Sequence, residues 1–420
     1  MAKSTLSADH ARLIAIEAAG LGPKKPAPIK SASDVLPFLG AVQLDTISTL
    51  ARSHELVHYA RVDASRDDVE RALWANPAHT FEYWSHAACV LPLSMYPWFA
   101  TRRRGFLARK SVWRSLPPTR AINAVKKKLE GNPQSATDLG GAKRGGEWWD
   151  WSDTKEALEW LLAIGEVVCT QRIGWRRIYS LSHESIPREL REQPHWQTSN
   201  GILGPSDAEC IRELILAGVR SLGIGTFGDI VDVHRLGGWH SNRATVTRHL
   251  NELVDEGLIK SVDVDSWNEP AYANPSALNS ASRKTAGSES TTTLLTPFDS
   301  LIWHRDRVSR IFGMDYRIEA YTPAAKRIYG YFAMPVLHDG QLVARVDPGR
   351  EKNGGKTTLV AKTVTFETDS RGKVAANAIQ GTAMALTKAA KWVNATSIEC
   401  GTVKPESASL ALSKALSVKH

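Results

Sequence analysis

One pattern recurs along this chain and constrains its fold more than any other: a series of short helical signals that closes on an extended segment. The clearest copy has helical spacing over residues 121–129, a short second helix over 136–139, and a third over 154–165 with Leu158, Leu161 and Leu162 on its core face. Residues 166–180 then read as a β-hairpin turning at Gly174. A later copy places one helix around Ile211, Leu214 and Ile215 and a second around Phe227, Ile230 and Val231. Its third helix, of recognition type, covers 241–256, ends at Gly257 and leads into an extended stretch over 258–264. The first copy opens with a helix capped by Ser7 and carrying Ala11, Leu13, Ile14, Ile16 and Ala18 on one face. A short helix capped by Ser31 or Ser33 follows, burying Val35, Leu36, Phe38 and Leu39 before Gly40. Residues 41–45 read as extended, and helical spacing resumes through Ile47, Leu50, Ala51, His54 and Val57.

Helices followed by a hairpin wing are the skeleton of a winged helix-turn-helix. The expected class is therefore α+β, with three tandem winged helix-turn-helix units over residues 1–115, 116–200 and 201–273. Residues 274–293 are rich in Ser, Thr, Ala and Asn and poor in apolar anchors, so a linker or mobile loop is expected there. A C-terminal α+β domain with an antiparallel sheet then covers 294–420. Its strands are expected over 327–335, 341–347, 357–366 and 397–402, with one long helix over 376–393 and a weakly patterned tail from 408 that frays. A chain of 420 residues suits this count, at roughly 100–200 residues per domain.

The charge balance favours a polyanionic partner: 53 Lys and Arg against 44 Asp and Glu give a net +9. Residues 101–128 hold Arg102, Arg103, Arg104, Arg109, Lys110, Arg114, Arg120 and Lys126–Lys128 with no acidic residue, which suits a phosphate footprint. Arg172, Arg176 and Arg177 flank the turn at Gly174, and His240, Arg243 and Arg248 lie beside or on the third unit's recognition-type helix. All are candidate DNA contacts, with a solvated basic face as the plain alternative. The four cysteines are scattered and form no CxxC pair, which argues against a zinc ribbon or an iron–sulfur cluster. No metal and no cofactor are expected. The N-terminus lacks the apolar core of a signal peptide, and no stretch reaches the ~20 apolar residues of a membrane helix. A cytoplasmic, nucleoid-associated protein is expected, and a monomer, because three modules in one chain can span DNA unaided.

The chemistry centres on Gln43-Leu44-Asp45. In an extended segment alternate side chains share a face, so Gln43 and Asp45 converge while Val42 and Leu44 turn to the core. The competing structural reading makes Gln43 a helix-backbone partner and Asp45 the N-cap of a helix starting at Thr46. The surrounding sequence, AVQLDTIS with LARSHELVHYARV and FEYWSHAACVLPLSMYPW, resembles the bacterial winged-helix DNA glycosylases of the YcaQ type. The stretch TPFDSLIWHRDRVSRIFGMDYRIEAYTPAAKRIYGYFAMPVLHDGQLVARVD extends the resemblance into the last domain. In that family the Gln-apolar-Asp triplet is the catalytic signature, and the related AlkZ type carries Gln at its third position. Asp45 thus points to the YcaQ branch. The departures are a Gly/Lys-rich insertion at 351–356 and the stretch after Asn274.

The resemblance implies a DNA repair glycosylase that hydrolyses the N-glycosidic bond of N7- or N3-alkylated purines in double-stranded DNA and unhooks interstrand crosslinks. Such a purine is cationic and departs with little protonation, so the site must stabilise an oxocarbenium-like sugar and orient a water. Asp45, with a reference pKa of ~3.9, can take the water proton, and the Gln43 amide can hold the water. No lysine lies in the triplet segment, which favours a monofunctional enzyme. Trp84 and His86 are candidate substrate contacts, and so is His54, whose default reading on an apolar helix is a core histidine. The alternatives are a winged-helix transcription regulator and a non-catalytic DNA-binding protein; both leave the Gln–Asp pair unexplained.

Overall fold

The computed structural model describes residues 5–22, 29–75, 77–110, 116–141, 152–238, 241–281 and 291–417. The architecture is α+β, divided into two compact units that are not consecutive in sequence. The first takes its residues from 1–66, 219–229 and 260–420, and the second from 67–218 and 230–259.

The first unit is built on a five-stranded sheet, in the order Thr293–Leu294, Met334–His338, Gln341–Asn353, Lys356–Phe366 and Ser397–Lys404. The first four strands pair antiparallel, but Ser397–Lys404 runs parallel to Lys356–Phe366. This corrects the expected antiparallel sheet. The helix Ala376–Trp392 supplies the crossover that a parallel pair requires. Its buried face is made of small residues, including Ala378, Ala383, Ala385 and Ala389, so it lies close on the sheet. At Gly381 the approach is so tight that a Cβ would collide with the His338 ring. A second sheet pairs Ala271–Ala273 antiparallel with both Ile224–Thr226 and Lys260–Val264, and Thr5–Leu6 joins the latter in parallel. One apolar core serves both sheets, uniting Ile14, Leu56 and Tyr59 with Val336, Val346 and Leu386.

Local signals fix the helices that present the triplet. Ala8–Ala18 starts where the Ser7 hydroxyl accepts the His10 N–H at 3.2 Å. Ala32–Leu39 starts at Ser31, whose N–H donates to Asp34 Oδ2 at 2.8 Å, and stops at Gly40 with φ +76°. Val42–Gln43 is a two-residue strand. The next helix, Ser53–Arg61, begins later than its apolar spacing suggests: Leu50 and Ala51 are buried, but in turns. Within the expected linker Pro275–Ala281 is helical; residues 282–290 lie outside the described residues. The tail forms a helix, Ser409–Ser417, anchored by the fully buried Leu412.

The second unit contains the clearest predicted copy. Helices Thr119–Leu129 and Asp153–Ile164 pack through Val125, Leu129, Leu158, Leu161 and Leu162 beside an antiparallel sheet ordered Gln134–Ser135, Arg176–Leu181, Val167–Ile173. Its expected short helix over 136–139 is a turn. A second hairpin pairs Thr80–Trp84 with Ala88–Pro92. Helix Arg243–Asp255 starts at Asn242, whose side chain accepts the Thr245 N–H at 2.8 Å.

Candidate active site

The triplet occupies the exit of the Val42–Gln43 strand. Val42, Gln43 and Leu44 are buried, Gln43 at 8% exposure, whereas Asp45 is half-buried. The backbone is clamped from the following helix, where the buried Ser53 hydroxyl donates to the Gln43 carbonyl at 2.6 Å. Glu55, one turn on, accepts the Arg52 N–H at 2.6 Å and the Arg66 guanidinium at 2.6 Å, which secures that helix start. Among the described residues no hydrogen bond engages the Gln43 side-chain amide, and none of its polar atoms is sealed from solvent. The amide is therefore available to a ligand or a water.

Asp45 is not a helix N-cap, because no helix begins at Thr46. Its Oδ1 instead accepts the Ile47 N–H at 2.8 Å, closing an Asx turn that fixes the carboxylate. Partial burial pushes the Asp45 carboxyl above its usual value, and the N–H groups of Ile47 and Thr46 only partly offset this. The result is a fixed carboxylate more basic than an exposed aspartate. Tyr321, 82% exposed, stands within electrostatic reach of it. Its phenol pKa is raised first by local desolvation and then by the Asp45 charge.

His54 is 1% exposed, and its carbonyl accepts Nδ1 of His58 at 2.7 Å. It is a core residue with no surface to offer a substrate, and the contact expected there is corrected. Burial pulls the neighbouring His58 down to about 4, so it stays neutral.

In the second unit several expected DNA contacts face inward. Arg102 donates to the carbonyls of Trp84, Ser85 and His234, and burial is the main cause of its pKa falling to about 10. Arg103 donates to the Tyr96 carbonyl at 2.5 Å and stacks on the Tyr96 ring at 3.9 Å. Arg104 pairs with Asp207 at 2.6 Å. All three are at most 5% exposed, so this part of the basic block is scaffold. Arg172 is likewise turned in, forking onto Glu82 and stacking on Trp175 at 3.9 Å. Arg177 bonds Glu82 at 2.7 Å and Glu159 at 3.3 Å. Burial would raise the Glu82 carboxyl, but Arg177 and Arg172 override it and hold it below its usual value. Arg176 and Arg243 are exposed, and so is Arg248, whose guanidinium pairs with Glu252 at 2.8 Å. His240 lies outside the described residues. Trp84 is half-buried in its strand, and His86 is held by Asp232 at 3.1 Å. No group of three or more metal-ligating side chains, and no helix long and apolar enough to cross a membrane, occurs among the described residues.

Two comparisons bear on this geometry. The sequence model of the family described as DNA glycosylase AlkZ-like matches residues 36–390, a span that includes Gln43, Asp45 and Tyr321. Among solved structures, the Streptomyces sahachiroi DNA glycosylase AlkZ is similar with a TM-score of 0.60 at 16% identity, covering 95% of this chain and 100% of that one. At that identity the likeness is one of fold.

Proposed function

This chain belongs to the AlkZ-like family of DNA glycosylases, and we propose that it hydrolyses the N-glycosidic bond of N7- or N3-alkylated purines, including those tethered in interstrand crosslinks. The observation that carries this reading is Asp45: a carboxylate held in place by the Ile47 N–H, with a raised pKa, two residues after Gln43 in the chain. An alkylated purine already carries positive charge, so the leaving group needs little help. The sugar, in contrast, develops cationic character as the bond breaks. The Asp45 carboxylate stabilises that charge and accepts a proton from the attacking water, while Gln43 orients the water. The raised pKa favours proton acceptance, because a base works best when its pKa approaches the working pH. Asp45 at the third position of the triplet supports assignment to the YcaQ branch.

For binding, we propose winged helix-turn-helix units in which Arg176, at the tip of its hairpin, and Arg243 and Arg248, on their helix, meet phosphates. Such contacts add affinity without sequence preference, as suits an enzyme that searches for lesions. The test is to incubate the protein with duplex containing a single N7-methylguanine, or a nitrogen-mustard crosslink, and score abasic sites. Abasic sites above the spontaneous background are expected. Tight binding with no abasic product from either duplex would contradict the proposal.

A further inference from the structure

Residues 319–332 form a loop that contains one short 3-10 turn, Ala324–Lys326, and is held by two buried carboxylates. Oε2 of Glu319, 1% exposed, accepts the N–H groups of Ile328, Tyr329 and Gly330 at 2.8, 2.7 and 3.3 Å. Asp347, 5% exposed, accepts those of Tyr331 and Phe332 at 3.0 and 2.9 Å. The tip is closed on itself: Thr322 N–H bonds the Glu319 carbonyl at 2.9 Å, Lys326 N–H the Pro323 carbonyl at 2.9 Å, and Arg327 Nε the Thr322 carbonyl at 2.8 Å. From the neighbouring strand, Lys404 Nζ reaches the Ile328 carbonyl at 3.0 Å. Gly330, at φ +119°, has no room for a Cβ against Asp347.

This fixed loop displays an aromatic ring to solvent. Tyr321 is the most exposed large apolar side chain among the described residues, at 82%, and Ile328 on the same loop is 50% exposed. Lys326 is exposed as well. Folding gains nothing from holding a tyrosine ring outward on an ordered loop, whereas a binding site gains a platform whose ordering cost is already met. Tyr321 and Asp45 belong to the same compact unit, and the phenol is within electrostatic reach of the Asp45 charge.

We propose that Tyr321 is the stacking platform for the alkylated purine, holding the cationic base against its ring face while the attached sugar meets Asp45. This rests on the glycosylase reading given above. An aromatic face carries negative quadrupole and attracts a cation, so the platform favours the alkylated purine over a neutral one. Specificity for damage then comes partly from a residue that does no proton chemistry.

The test compares wild type with Tyr321→Ala and Tyr321→Phe in two arms. In the first, single-turnover release of N7-methylguanine from duplex DNA should fall about 5- to 150-fold in Tyr321→Ala, the range that loss of one base–aromatic stack implies. Tyr321→Phe, which keeps the ring, should remain close to wild type, and both variants should bind undamaged duplex as wild type does. The second arm needs no cleavage. With 2-aminopurine placed next to the lesion in an Asp45→Asn background, binding should change its fluorescence with Tyr or Phe at position 321 and leave it unchanged with Ala. Equal release by Tyr321→Ala and wild type, or release by Tyr321→Phe as slow as by Tyr321→Ala, would overturn the stacking role. If wild type itself releases no base, the glycosylase reading fails, and the fluorescence arm still decides whether Tyr321 meets the base.

Discussion

At Asp45 two effects act on one carboxyl in opposite directions, and burial wins over the Ile47 and Thr46 N–H groups. A folded-state pKa above the unfolded value means that the folded protein binds the proton more tightly. The ionised form therefore costs stability at neutral pH, and the cost shrinks as pH falls through the folded pKa and is gone below the unfolded value of 3.8. Asp45→Asn, whose side-chain oxygen can still accept the Ile47 N–H, should melt no lower than wild type at pH 7. The gap in its favour should close toward pH 4, which thermal melts at both pH values would check. A clear loss of melting temperature at pH 7 would mean that the charge stabilises the fold. Arg102, Arg103 and Arg104 stand in a stretch without acidic residues, and their partners are largely backbone carbonyls and the distant Asp207. A carbonyl leaves no mark in composition, so a buried arginine and a phosphate contact look alike.

Elements set by local chemistry were legible: Ser7, Ser31 and Gly40 bound two helices as expected, and Gly174, at φ +59°, turns the predicted hairpin. Elements set by tertiary partners were not. Apolar residues at 47, 50 and 51 fit a helical face, yet the chain turns there. Residues 328–332 read as strand, but their N–H groups go to Glu319 and Asp347. The Val167–Ile173/Arg176–Leu181 hairpin separates the two kinds of arginine. Glu82 binds Arg172 and Arg177 from the neighbouring Thr80–Trp84 strand and is 2% exposed. Glu82→Gln leaves those guanidinium groups without their shared carboxylate and should cost about 3–5 kcal/mol in denaturant unfolding. Because the folded pKa of Glu82 is lowered, its contribution is present above the unfolded value of 4.5 and is lost as pH falls through the folded one. An unfolding midpoint unaffected by Glu82→Gln would mean that the pair contributes nothing net. Exposed Arg176 predicts the opposite phenotype: Arg176→Ala should keep wild-type stability, weaken DNA binding on every sequence, and lower the salt slope by about 1. An unchanged slope would place Arg176 away from phosphate.

At the scale of the whole chain, the units are assembled from segments far apart in sequence, and linear blocks could not express this. The first unit joins residues 1–66 to the C-terminal sheet through one core, so the strand bearing Gln43 and the loop bearing Tyr321 belong to the same body. The triplet can be proposed from sequence because its spacing is local. The proposed role of the loop is not legible there, because it depends on Glu319 and Asp347, which fold it, and on Asp45, which lies far away in sequence. The proposed function requires Asp45 to act in bond cleavage and not in DNA affinity. The decisive measurement is single-turnover release of N7-methylguanine by wild type and Asp45→Asn, with affinity for the same duplex measured in parallel. Release should fall by about 10²- to 10⁴-fold, the usual scale for losing a general base, while affinity holds. Undiminished release by Asp45→Asn would contradict the mechanism.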